Sequence, residues 1–157
     1  MTDATDPVIR DAVAADLPAI ARLMRQLEEG GAGYPASEDG VSDAQVRAFA
    51  EIGRDRRHRL LVIEDGGRVV GTTVLMIVPN LSGGGRPRAI VESVVVDADA
   101  RGHGYGERLK AYCRAEAAAA GCFKLQLDSN NRRTDAHRFY ERLGYSNTHH
   151  GYSLPLL

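Results

Sequence analysis

The sequence predicts an α/β fold of about six or seven strands and about four helices in a single domain over residues 1–157, and three observations carry that reading. β-rich runs and segments of helical apolar period alternate along the chain. Two of the β-rich runs flank Asp65-Gly66-Gly67 as the arms of a hairpin would. A third run, residues 89–96, passes through a glycine-rich turn directly into a helical segment. At 157 residues the chain is long enough for one well-filled core and short for two.

In chain order, Pro7-Val8-Ile9-Arg10-Asp11-Ala12 suits a first strand. Asp16 before Leu17-Pro18 reads as an acidic N-cap followed by a first-turn proline, where the missing N–H costs little. Leu17, Ile20, Leu23, Met24 and Leu27 recur at helical spacing and give one apolar face for core packing. Gly30-Gly31-Ala32-Gly33-Tyr34-Pro35 ends that helix and opens a loop to about Val41. Ser42-Asp43-Ala44-Gln45 has the form of a capping box and predicts a helix to about Ile52. Residues 59–64 and 68–78 are the hairpin strands, and 79–87, with three consecutive glycines, is the next loop. Beyond the central unit, Phe123, Leu125 and Leu127 mark a strand ending near Asp128. Ala136, Phe139, Tyr140 and Leu143 share a helical face closed by Gly144, and the alternation around Tyr152-Ser153-Leu154 suits a last strand pair.

The central unit is strand, glycine-rich turn, helix. Residues 89–96 are apolar and β-branched, residues 107–120 are helix-forming, and Arg101-Gly102-His103-Gly104-Tyr105-Gly106 joins them. Three glycines at alternate positions strip the turn of side chains. Its amides can then converge on a ligand where the helix's unpaired first-turn donors favour negative charge. The bland alternative is an ordinary glycine turn. Two other phosphate cradles are excluded by inspection, because neither Gly-x-x-x-x-Gly-Lys-Ser/Thr nor Gly-x-Gly-x-x-Gly occurs here. Glu92 is the only charge between Ala89 and Val96, and period-two alternation puts it on the face of Ile90, Val94 and Val96. A carboxylate on an apolar face must be paired, hydrogen-bonded or neutralised, and such sites often tune it as a general base. The structural alternative is a strand-end glutamate bound to a neighbouring arginine.

Arg101, Gly104 and Gly106 meet the Arg/Gln-x-x-Gly-x-Gly/Ala pattern, and Ala136-His137-Arg138-Phe139-Tyr140-Glu141-Arg142-Leu143-Gly144-Tyr145 meets Ala-x-x-Phe-Tyr-x-x-x-Gly-Phe/Tyr. In that order and at that spacing, over about residues 70–147, the chain resembles the GNAT N-acetyltransferase superfamily. The resemblance implies a mixed, mostly antiparallel sheet whose central strands splay apart, and acetyl-CoA as co-substrate. The carrier's arm would enter the gap and pair with the backbones of Val94, Val95 and Val96. Its phosphates would lie on Arg101, Gly102, His103, Gly104, Tyr105, Gly106 and Glu107. Many members carry Asn where Arg133 stands, so a further contact at that point would come from Asn130 or Asn131, or be absent. The implied reaction is direct transfer of an acetyl group to a primary amine of a small molecule or peptide. Glu92 would accept the amine proton, directly or through water, and Tyr140 would protonate the departing thiolate. A phenol with an ordinary pKa of about 10 keeps the proton for that task. Asp128 matches the aspartate of a Leu-Asp pair in the family's glucosamine-6-phosphate N-acetyltransferases, with amine positioning and helix capping as equal alternatives. Tyr34, Glu28 and Glu29 lie where the family commonly builds its acceptor site, although a loop tyrosine and helix-terminal acids need no function.

Composition bounds the alternatives. The chain is 43% hydrophobic and 26% charged, with no apolar run approaching the roughly 20 residues that span a bilayer. Its first residues lack the basic start and apolar block of a signal peptide, so a cytoplasmic location is expected, with no membrane partner. Net charge is −1, which argues against general nucleic-acid binding. The charge is unevenly placed: residues 1–100 hold 11 Lys and Arg against 16 Asp and Glu, and residues 101–142 hold 9 against 5. The basic excess falls on the proposed cradle. Cys113 and Cys122 read as reduced packing residues, and no metal-ligand spacing is present. Neither a Gly-x-Ser-x-Gly elbow nor a suggestive Cys–His spacing points to an acyl-enzyme. The reading from a different class is a non-catalytic acyl-CoA sensor. A homodimer through the C-terminal tail is compatible with the pattern.

Overall fold

The computed structural model describes residues 6–31 and 39–156, so the Tyr34 expectation lies outside the described residues. Among them, one five-stranded sheet is flanked by four α-helices. The elements are β1 (Val8–Asp11), α1 (Leu17–Glu29), α2 (Asp43–Ile52), β2 (His58–Asp65), β3 (Arg68–Val78), β4 (Arg88–Val96), α3 (Tyr105–Ala119), β5 (Leu125–Gln126) and α4 (Thr134–Arg142). Strand order follows chain order; β1 to β4 are antiparallel and β5 joins β4 in parallel.

Alternation along the strands divides the core between two layers. Leu60 and Val62 of β2 pack with Ile20, Leu23 and Leu27 of α1, while Leu61 and Ile63 point the other way, into clusters that hold Cys113 and Ala117 or Tyr105 and Leu109 of α3. Leu23 and Leu109 are fully buried, and each contributes about 2 kcal/mol by leaving water. The capping box forms as expected: the Gln45 N–H donates to Ser42 Oγ at 3.1 Å and the Ser42 N–H to Gln45 Oε1 at 2.9 Å.

Three expectations are corrected. The sheet has five strands rather than six or seven, because residues 146–156 form no strand and leave Tyr152, Leu154 and Leu156 exposed. An alternating pattern becomes a strand only where its backbone pairs with a neighbouring edge, and residues 146–156 pair with none of the described strands, although the outer side of the two-residue β5 stays open. β5 is two residues long, since it pairs with β4 only through Ala89 with Leu125 and Ile90 with Gln126. Asp16 stands at the N-cap of α1 as expected but makes no side-chain cap bond there; its carboxylate accepts the Val13 N–H at 2.8 Å and binds the Arg10 guanidinium at 2.7 Å.

Candidate active site

The site is opened by a one-residue irregularity in β4. Val74 faces Glu92 and Thr72 faces Val95, so two residues of β4, Ser93 and Val94, oppose Thr73 alone. Ser93 takes a left-handed φ of 52°, the only described non-glycine residue to do so, a conformation uncommon outside glycine. The bulge inverts the strand's parity. Ala89 and Val91 pack on the α3 side, as does Val94, whereas Val95 joins the α1 cluster. The expectation that Glu92 shares a face with Val94 and Val96 is therefore overturned: it follows Ile90 on the α1 side, and its side chain is exposed in the cleft rather than enclosed among apolar groups.

Beyond Ile90, β4 has no strand partner on its β5 side among the described residues. The two chain segments diverge around a cleft lined by residues 91–94 of β4, residues 127–130 after β5, Leu27 of α1, Arg133 and Tyr140. Two carboxylates, Glu92 and Asp128, thus stand in one cleft with one guanidinium, Arg133. Glu28 is half-buried at the end of α1 but does not line the cleft, and Glu29 is exposed. Asn130 lines it with its side-chain oxygen already accepting the Arg132 N–H at 3.0 Å, while Asn131 is exposed outside it.

The glycine turn lies at the far end of β4. Gly104, at φ 78°, is the N-cap of α3, and the first intrahelical bond recorded there runs from the Arg108 N–H to the Gly104 carbonyl. The amides of Tyr105, Gly106 and Glu107 precede it and have no intrahelical acceptor. A methyl group added at Gly102 or Gly104 would meet nothing within 4 Å, so the mouth of the turn is open. At Gly106 the same methyl would approach the Phe139 ring at 3.3 Å, so this glycine lets α3 and α4 touch. The Tyr105 side chain turns away from the mouth: it is buried with Ile63, Val70 and Leu109 and donates its hydroxyl to Asp65. Only its backbone is available to a ligand. His103 Nδ1 lies 3.1 Å from the carbonyls of Ala100 and Arg101, which ties the turn to itself.

Asp97 roots this turn. It is 1% exposed and accepts from Arg22 at 2.6 Å, Arg68 at 2.5 Å and Gln26 at 3.3 Å. Burial alone would push its carboxyl up, but those donors together with the Asp99 N–H outweigh burial and hold it well below the usual carboxylate range. The end of β4 is thereby locked to α1 and β3.

Tyr140 is 8% exposed and borders the cleft from α4, its ring edge-on to Phe139 at 5.4 Å and to Tyr145 at 5.8 Å. Burial raises its pKa, partly offset by the charge of Arg133, so the phenol holds its proton. Four contributors escaped sequence reasoning. Ser93, a serine inside a β-branched run, carries no signal of its bulge. Ser129 has a buried hydroxyl without a partner in the cleft wall, and Asp97 reads from sequence as an ordinary strand-end acid. Lys110 was detectable: with Gly106, Cys113 and Ala117 it falls on one helical stripe, and it is 2% exposed.

Fold and site together define the class. The family model described as the acetyltransferase (GNAT) family matches residues 21–145, and the chain belongs to that family. It is 31% identical over 145 residues to a glucosamine 6-phosphate N-acetyltransferase of Trypanosoma brucei brucei, covering 92% of each chain. It is 30% identical over 148 residues to an aminoalkylphosphonate N-acetyltransferase of Salmonella typhimurium, covering 94% of this chain and 90% of that one. Among solved structures, a Bacillus halodurans protein described as a transcriptional regulator superposes with a TM-score of 0.88 at 31% identity, over 96% of this chain and 99% of that one.

Proposed function

We propose that the chain transfers an acetyl group from acetyl-CoA to the primary amine of a small molecule by direct attack in the cleft beside β4. The observation that carries this is the unpaired β4 edge, bordered by a buried tyrosine at one end and an open glycine turn at the other. The free amides of residues 105–107 and the basic excess nearby fit the phosphates of CoA, with Arg101 and Gly102 to Glu107 as the cradle. The backbones of Val94, Val95 and Val96 fit the extended arm, with Asn130 in the cleft wall beside it and Asn131 outside the cleft, within reach only of its exposed end. Acetyl-CoA supplies the activated acyl group and a thiolate leaving group.

The chain's own residues supply position and proton transfer. Glu92 accepts the proton of the attacking amine, through water given its exposure, and Asp128 helps hold the amine. Tyr140 donates its hydroxyl proton to the departing sulfur. Arg133 adds a cation at the same cleft, which favours acceptors that carry an acid group beside the amine. The two named relatives act on a phosphate-bearing and a phosphonate-bearing amine, which supports the same preference. The exposed alternation of Tyr152, Leu154 and Leu156 supports a homodimer in which this tail pairs with a second copy; light scattering tests it.

Thiol release from acetyl-CoA across a panel of amines, with and without a phosphate or phosphonate group, tests the reaction. Tyr140→Phe is expected to lower kcat about a hundredfold, and Glu92→Gln about tenfold because water can partly replace it. Calorimetric binding of CoA without turnover of any amine would replace the enzyme by a sensor. Normal rates in both variants would remove the residue roles.

A further inference from the structure

Among the described residues, the Lys110 ammonium has no hydrogen-bond partner, and it is almost wholly buried. A charge so placed is costly unless it is paired, and helix α3 offers it no acceptor. What it does meet is aromatic: its Nζ lies 5.0 Å from the ring centre of Tyr140 and 4.9 Å from that of Tyr145. Two π faces partly replace the lost water, and both rings are fixed relative to each other by their own edge contact. The ammonium sits over the rings and not in line with a hydroxyl, so it cannot pass a proton to Tyr140.

We infer that Lys110 is a positioning residue for proton donation by Tyr140, pinning the ring and stabilising the phenolate that develops as the proton leaves. The inference rests on the proposed role of Tyr140. As the amine nitrogen bonds to the acetyl carbon and the carbon–sulfur bond breaks, the Tyr140 proton moves to sulfur. Negative charge then appears on a buried ring that Arg133 offsets in part, and the Lys110 ammonium, 5.0 Å from the ring centre in a low-dielectric wall, adds to that support. The phenolate afterwards recovers a proton from solvent.

The device is pH-dependent. Burial lowers the Lys110 pKa to about 8, with the Cys113 thiol beside it raising it slightly. Tyr140 and Tyr145 face it from α4 and the segment after it; Arg133 acts on the first ring and Arg114 on the second. The ammonium is therefore present at pH 7 and is lost as pH rises through about 8, taking its support of Tyr140 with it.

The test is steady-state kinetics over pH 6 to 10 for wild type, Lys110→Met, Lys110→Arg, Tyr140→Phe and the Lys110→Met/Tyr140→Phe pair, using the best amine from the panel. Lys110→Met is expected to lower kcat about tenfold with the acetyl-CoA KM within twofold, and to lose the alkaline limb near pH 8. Lys110→Arg keeps its charge, so that limb moves above pH 10. In the Tyr140→Phe background the Lys110→Met change costs nothing further. Equal losses in both backgrounds, or an unchanged kcat and limb in Lys110→Met, overturn the inference. Tyr140→Phe at wild-type rate would sink the Tyr140 role itself, whereas a slow Tyr140→Phe beside a normal Lys110→Met removes only the part given to Lys110. Should the variants misfold, the Lys110 13Cε resonance of the wild type must titrate near 8 in step with kcat; a midpoint at the ordinary lysine value overturns it.

Discussion

Two buried charges flank the glycine turn, and the structure treats them in opposite ways. Asp97, before the turn, is met by two guanidinium groups, a glutamine and a backbone amide. Lys110, after it, has two aromatic faces and no hydrogen bond. Both are essentially inaccessible to water. A buried charge with its partners in place holds elements together, as Asp97 joins β4 to α1 and β3. A buried charge without them weakens the fold, and for Lys110 the return is the proposed support of Tyr140.

Removing each charge should separate these roles. The largest stability effect is expected for Asp97→Ala, which leaves Arg22, Arg68, Gln26 and the Asp99 amide without their common acceptor. Breaking a buried pair typically costs 3–5 kcal/mol, but Arg22 and Arg68 reach solvent and recover hydration, so about 2 kcal/mol is expected in urea unfolding. Because the Asp97 pKa lies below its unfolded value, its contribution is present above about pH 4 and is lost as pH falls further. The variant should therefore show a shallower acid limb than the wild type.

Lys110→Met is expected to act in the opposite sense and to raise stability at pH 7 by about 2 kcal/mol. The sign follows from protonation: the folded state releases this proton near 8 and the unfolded state near 10.5, so wild-type stability rises with pH across that window. The gain of the variant over wild type should accordingly shrink between pH 8 and 10.5, which paired thermal melts would read. The Cys113 thiol, pushed up to about 11 by burial, is partly held down by the charge of Lys110, so the difference is read most cleanly between pH 8 and 9, below the range in which the thiol titrates. A Lys110→Met protein less stable than wild type at pH 7 would contradict the contrast drawn here.

Gly106→Ala sharpens the comparison at the turn itself. Its methyl would press on Phe139 at 3.3 Å, so about 1 kcal/mol is expected from crowding of α3 on α4, read as a lower urea midpoint. Ser42→Ala, remote from both charges, removes one helix cap and should cost about 1 kcal/mol without changing CoA binding.

Much of this molecule was legible before folding was considered. The α1 stripe, the Ser42–Gln45 box, the hairpin and the strand–turn–helix unit are local patterns whose partners lie within a few residues. The same holds for the glycines of residues 102–106 and for the Phe139-Tyr140 pair. What escaped depends on distant segments. The Ser93 bulge exists because β4 is registered against Thr73, and it overturned a parity inferred correctly from an unbroken strand. The tail alternates but pairs with none of the described strands, and pairing is decided by tertiary placement rather than by the alternation itself.

The amino-acid order by itself determined the family, the elements up to α4 and the turn that suits an anion, because periodicity, capping and glycine placement act over one or two helical turns. Only the tertiary structure decided which face of β4 Glu92 takes, what surrounds Asp97 and Lys110, and which residues meet in the cleft. Those outcomes depend on register and burial, which arise when segments tens of residues apart exclude water from one another.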